Sequence, residues 1–158
     1  MRKGIVVYDS NFGNTEKIAR AMALGLGEKG AEIDCLNVDQ VDVERLAEYD
    51  FIAVGGPTHI ISASKPMKEF LERLKAVDLR GLKGFSFDTR NESRMNSRMW
   101  LLFENSAARV IESTLRGMKV DIVRLRCSAI VEGREGPLHE GMEETFRQIG
   151  VEIAESLQ

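Results

Sequence analysis

Apolar and polar positions follow one another along this chain in short blocks of alternating period. Gly4–Tyr8 is a compact apolar run of the kind that fills a buried strand. Residues 14–29 place Ile18, Met22 and Leu26 at helical spacing, with Ala19 and Ala23 beside them. Gly25 and Gly27 weaken that helix and Gly30 ends it. Ala31–Val38 predicts a second strand, Asp42–Glu48 a short helix around Leu46, and Phe51–Val54 a third strand halted by Gly55-Gly56-Pro57. Ser64 caps the next helix, Pro66 suits its first turn, and Met67, Phe70, Leu71 and Leu74 form its inner face. Lys83–Phe87 predicts a fourth strand, and Ser106 heads a helix reaching about Arg116 with Ala107, Val110, Ile111 and Leu115 inward. From Asp121 to about Val131, Val123, Leu125, Cys127, Ala129 and Val131 alternate with polar residues, as in a strand near a sheet edge. A last helix, from about Glu140, carries Met142, Phe146, Ile149, Ile153 and Leu157 on one stripe.

Strand and helix repeated five times, with short connections, predict an α/β fold: one parallel sheet covered on both faces. Its 158 residues suit a single domain, 1–158. The first and third strands are the most apolar and belong in the centre, which gives five strands in the order 2-1-3-4-5. Ligands of such sheets bind beyond the carboxyl ends of the strands, where the winding direction switches. Here the switch lies between strands 1 and 3. The loops that meet there are Ser10–Thr15, Gly55–Ser64 and Asp88 onward.

The first of these loops, Ser10-Asn11-Phe12-Gly13-Asn14-Thr15, enters the first helix. Unpaired N–H groups and the helix dipole favour an anion at that end. Gly13 permits close approach or a positive φ, and Ser10, Asn14 and Thr15 offer short polar groups. The same residues also suit a plain turn and cap. The Gly-Lys-Ser/Thr ending of a nucleotide triphosphatase loop is absent, as is the Gly-x-Gly-x-x-Gly of a dinucleotide site.

The stretch Tyr8-Asp9-Ser10-x-x-Gly13-Asn14-Thr15-Glu16-Lys17-Ile18-Ala19 resembles the FMN phosphate loop of the flavodoxin family. Gly55-Gly56-Pro57-Thr58-His59, with the helix opening at Ser64-Lys65-Pro66, is similar to that family's flavin-flanking loop. Phe87-Asp88-Thr89-Arg90 is similar to its loop after strand 4. The resemblance covers nearly the whole chain in element order and implies a flavodoxin-like three-layer sandwich with bound FMN. It implies that Ser10, Asn11, Phe12, Gly13, Asn14 and Thr15 hold the phosphate. Pro57, Thr58, His59 and Ile60 would line one side of the isoalloxazine, and Asp88, Thr89, Arg90 and Asn91 the other. Phe12 stands where the family usually has a hydroxyl residue. His59, Ile60 and Ile61 replace the stacking aromatics of many members, each worth on the order of 1 kcal/mol.

After strand 4 the sequence becomes distinctive. Arg90, Arg94 and Arg98 recur every four residues, as do Met95 and Met99, next to Trp100. Two readings follow: an early start to the fourth helix with Met99–Phe103 in the core, or a lid or subunit contact beside the flavin. Reduction of FMN adds negative charge, so Arg90 near the ring would raise its potential, unless the arginines pair with Glu92 and Glu104. His59, with an ordinary pKa of about 6.5, is a candidate flavin contact.

Charge is unevenly spread. Residues 80–126 are net +5, whereas the whole chain is net −3. That pattern fits a docking surface for an acidic partner or a mixed solvated surface. Aromatic and basic residues do not interleave as in a nucleic-acid reader. No stretch approaches membrane-spanning length, and Cys35 and Cys127 read as reduced core thiols of a cytoplasmic protein. No cysteine or histidine pair has metal-ligand spacing, and no Ser-His-Asp or Cys-His arrangement suggests a catalytic side chain. The expected function is FMN-dependent electron transfer to a redox partner protein or small acceptor. An FMN-dependent NAD(P)H:quinone-type oxidoreductase and an interaction module with weak or no flavin are the alternatives. A homo-oligomer through the segment after strand 4 is a further expectation.

Overall fold

A computed structural model of the chain describes residues 1–59, 62–91 and 106–158. The Arg94/Arg98 and Met95/Met99/Trp100 stripes, Ile60 and Ile61, and the proposed subunit contact lie outside the described residues, as does any pairing to Glu92 or Glu104.

Parallel strands β1 (Lys3–Tyr8), β2 (Glu32–Asn37), β3 (Phe51–His59) and β5 (Lys83–Asn91) stand in the order β2-β1-β3-β5. The fifth position is shared by two short strands, β6 (Asp121–Ile122) and β7 (Cys127–Val131), both parallel to β5. A two-residue strand, β4 (Ser62–Ala63), folds back antiparallel on the end of β3. The expected 2-1-3-4-5 arrangement is thus present, with its last strand interrupted. Gly84 pairs with Ile122 and Phe87 with Cys127, so four residues of the edge chain lie opposite two of β5. The surplus forms a bulge at 123–126. Leu125 is 73% exposed there, Arg124 pairs with Glu152, and Arg126 pairs with Glu112.

The helices are α1 (Asn14–Gly27), α2 (Lys65–Leu74), α3 (Ala107–Gly117) and α4 (Met142–Ser156). Two short 3-10 turns, Val38–Gln40 and Val43–Glu48, replace the short helix expected before β3. Ser64 caps α2 by accepting a bond from the Met67 N–H at 3.3 Å, with Pro66 in the first turn. Ser106 does the same for α3 through the Arg109 N–H at 3.2 Å.

The pleat sorts side chains to the two faces. Ile5, Val7, Ile52 and Val54 meet Met67, Phe70, Leu71, Leu74, Ile111 and Leu115 on one side. Val6, Tyr8, Ala53, Phe85 and Phe87 meet Ile18, Met22, Leu26, Phe146, Ile149 and Ile153 on the other. Two apolar layers therefore enclose the sheet, and each fully buried large side chain contributes about 1.5–3 kcal/mol. The α1–α4 contact is so close that a Cβ on Gly25 would lie 1.9 Å from the Arg147 carbonyl oxygen. A Cβ on Gly150 would lie 2.3 Å from that of Met22. The helix-weakening Gly25 is thus the residue that lets two helices touch.

Two strands run further than their sequence suggests. β3 continues through Gly55-Gly56-Pro57 to His59, and β5 continues through Asp88 to Asn91. Register then pairs Gly56 with Asp88, Pro57 with Thr89 and Asn91 with Val131. The residues expected in loops are carried on rigid strand ends instead.

Candidate functional site

At the carboxyl end of the sheet a cleft of about 500 Å³ opens between β1, β3 and β5. Ser10, Asn11, Phe12, Asn14, Thr15, Pro57, Thr58, Thr89, Arg90 and Asn91 border it. The three loops picked out from the sequence therefore converge. Its size falls within the range of small-molecule sites. A larger hollow, about 700 Å³, lies at the opposite end of the sheet, around Met1, Tyr49, Asp50, Asp78 and Arg80. Its carboxylates are already engaged: Asp50 accepts from the N–H groups of Arg2 and Lys3, and Asp78 pairs with Arg80.

The floor of the cleft is the entrance to α1. Gly13 adopts φ +90° at the N-cap, with no atom near the place a Cβ would take. The Ser10 hydroxyl accepts a bond from the Gly13 N–H at 3.0 Å and curls the loop. Among the described residues no side chain caps the helix, which leaves its first-turn N–H groups suited to a ligand. Asn14 is buried and donates from Nδ2 to the Glu135 carbonyl at 3.1 Å. Thr15, also buried, shares a 2.9 Å hydroxyl contact with Thr89, which joins the floor to the β5 wall. Phe12 is 46% exposed at the rim, an apolar surface where a hydroxyl was expected by analogy. At the start of the loop, the Ser64 hydroxyl donates to the Asp9 carboxylate, which ties this entrance to the head of α2.

Among the described wall residues, Asp88 departs from the expected set. Asp88 does not face the cleft. It is fully buried behind the wall, where Oδ2 accepts from the Thr58 hydroxyl at 2.7 Å and from the Ala108 N–H at 3.3 Å. Thr58 in turn accepts from the Ala107 N–H at 3.0 Å. A carboxylate at the first turn of α3 is favoured by the helix dipole. The alternation of strand β5 explains the placement: the successive residues Asp88 and Thr89 point to opposite faces, and a loop reading hides that alternation. Asp88 Oδ1 has no hydrogen-bond partner among the described residues, and the nearest cation is Arg90, whose Nε lies 3.7 Å away. Arg90 also donates to the Ser128 hydroxyl, at 2.9 Å from Nε and 2.6 Å from the guanidinium end. The Arg90 head is thereby held between Asp88 and β7. His59 lies in β3, paired with Ser62 in β4.

A fourth border goes beyond the residues picked out from the sequence. Val131, Gly133 and Arg134, just beyond β7, also line the cleft. The hint available was topological: every parallel strand delivers its following loop to the same end of the sheet.

The flavodoxin family model matches residues 6–149. This chain belongs to the flavodoxin family. A flavodoxin of Clostridium saccharobutylicum is 32% identical over 98 residues, which is 61% of each chain. A probable flavodoxin 1 of Bacillus subtilis (strain 168) is 34% identical over 89 residues, 55% of this chain and 56% of that one. The matched stretches thus span less than two thirds of these relatives. The structure of a flavodoxin from the domain Archaea superposes with a TM-score of 0.78 at 25% identity, over 98% of both chains. FMN is the cofactor of the flavodoxin family. The observed site fits it. An uncapped helix entrance with a left-handed glycine suits a phosphate, and two strand-borne walls leave a slot between Pro57-Thr58 and Thr89–Asn91 for a flat ring.

Proposed function

We propose that this flavodoxin-family protein carries electrons between redox partners through FMN held in the 500 Å³ cleft. The observation that carries the reading is the convergence of an uncapped α1 entrance with two parallel strand ends in one slot. In this reading Ser10, Asn11, Phe12, Gly13, Asn14 and Thr15 surround the phosphate. Pro57, Thr58, His59 and Ile60 form one wall for the ring, and Thr89, Arg90 and Asn91 the other. Asp88 stands behind that second wall as its support. Bound FMN supplies reversible redox chemistry that the side chains themselves lack.

The chain's own contribution is positional and electrostatic. The Thr15–Thr89 contact fixes the distance between floor and wall. The Thr58–Asp88–α3 bonds hold β3 and β5 in register at the slot. Arg90 keeps a positive charge at the wall, moderated by Asp88. Reduction adds negative charge to the slot, so Arg90→Ala lowers the potential, and redox titration of the two proteins checks this. Partners are a redox protein or a small acceptor. A cytoplasmic setting agrees with the two free, half-buried cysteines.

Purified protein tests the function directly. It is expected to be yellow with an FMN spectrum, and to bleach with dithionite or through a partner reductase. Rapid bleaching by NADH or NADPH alone would reassign it as an oxidoreductase. A colourless protein whose melting temperature ignores saturating FMN would overturn the cofactor reading.

A further inference from the structure

The loop between β7 and α4 is not a slack connection. Val131 and Leu138 form an antiparallel bridge, the Glu132 N–H donates to the Pro137 carbonyl at 2.9 Å, and the His139 N–H donates to the Ile130 carbonyl at 2.9 Å. The loop is therefore closed at its base like a small hairpin. Its far side is anchored to the α1 entrance, because the Glu135 carbonyl accepts from Asn14 Nδ2. Gly136, at φ +118°, packs so tightly there that a Cβ would lie 3.0 Å from Asn14 Oδ1. Arg134 sits in this pinned segment, exposed, and borders the cleft together with Ser10, Asn11 and Asn14.

Charges around the α1 entrance favour a role for this residue. Glu16, the acid of the first turn, is drawn away to the Tyr8 hydroxyl and Arg20, at 2.8 Å each. Arg90, the other cation lining the cleft among the described residues, is engaged with Ser128 and Asp88. Glu132 pairs with His139. The Arg134 side chain makes no hydrogen bond or ion pair among the described residues. A committed backbone thus presents an uncommitted guanidinium beside a site shaped for an anion. Arginine suits phosphate because its planar fork donates two parallel bonds.

We propose that Arg134 pairs with the phosphate group of FMN and adds a cationic contact to a phosphate site otherwise built from neutral groups. This rests on the reading that FMN occupies the cleft. Apoprotein of the full chain, titrated with FMN and with riboflavin while flavin fluorescence is followed, separates the two. Arg134→Ala and Arg134→Gln are expected to weaken FMN binding about three- to tenfold at low ionic strength, and Arg134→Lys by less. The difference from wild type shrinks as NaCl is raised toward 1 M, where the screening length falls to about 3 Å. Riboflavin, which lacks the phosphate, behaves alike with all four proteins, and apoprotein melting temperatures stay equal. Equal losses for FMN and riboflavin, or unchanged FMN affinity in Arg134→Ala, would overturn the proposal while leaving FMN in the cleft. Failure of the wild-type apoprotein to bind FMN at all would remove the cofactor reading and this contact with it.

Discussion

Thr58 shows how much one hydroxyl can join. It donates to Asp88 and accepts from the Ala107 N–H, so it links the end of β3, the end of β5 and the head of α3. Thr58→Val keeps the shape but leaves the Ala107 N–H without its acceptor and the buried Asp88 carboxylate with one donor fewer. The expected cost is about 1–3 kcal/mol, read as a lower urea midpoint of the apoprotein, with Thr58→Ser close to wild type. The sequence assigned both Thr58 and Asp88 to the slot; Thr58 lines it, whereas Asp88 is buried behind it. The error at Asp88 is one of period. Read as a loop, Phe87-Asp88-Thr89-Arg90 has no inside and outside; carried on a strand, successive residues turn to opposite faces. Ser10–Thr15 was more legible, because strand, glycine and helix start follow within a few residues and leave little conformational choice.

At the scale of elements, helices were easier to locate than strand ends. Ser64 and Ser106 cap where the sequence places them, since a serine before an apolar stripe has a local cause. Strand ends depend on partners distant in sequence, which is why β3 and β5 outran their apolar runs. Gly25 belongs with the tertiary signals: its cost to α1 is local, its use lies in α4. Gly25→Ala gains up to about 1 kcal/mol of helix propensity. The new methyl group collides with the backbone at Arg147, and such overpacking costs about 1–3 kcal/mol. The expected net result is a less stable protein by urea denaturation. Gly27→Ala is the control, because the nearest atom to its Cβ would be 3.8 Å away.

Taken whole, the molecule spreads its charge more evenly than the chain does. Two arginines of the basic stretch reach acids outside it: Arg80 to Asp78, Arg124 to Glu152. The stretch is therefore less of a docking face than its net charge implies. At alkaline pH the titration of the fold is governed by two phenols and a thiol. Burial, and then the bond to Glu16, pushes Tyr8 from 10.0 up to about 12. Burial and the bond to Asp34 do the same for Tyr49, and burial lifts Cys35 from 9.0 to about 11. Each group holds its proton longer in the folded state than in the unfolded chain. The unfolded state thus binds fewer protons in this window, and stability falls as pH rises. Stability from these groups is complete below about pH 9 and is lost progressively toward pH 12. Urea midpoints at pH 8, 10 and 11 check this, and Tyr8→Phe is expected to flatten the decline. A midpoint constant to pH 11 would contradict the assignment.

The bulge at 123–126 gives the edge of the sheet a property the central strands lack. Pairing with β5 stops at Ile122 and resumes at Cys127, so the segment between them sets neither register. Arg124 and Arg126 secure its two sides to different helical layers, and Leu125 projects between them into solvent. A peptide grafted next to Leu125 would lengthen a span that already tolerates surplus residues. Affinity tags or reporter loops could therefore be spliced in there without disturbing the flavin end of the molecule.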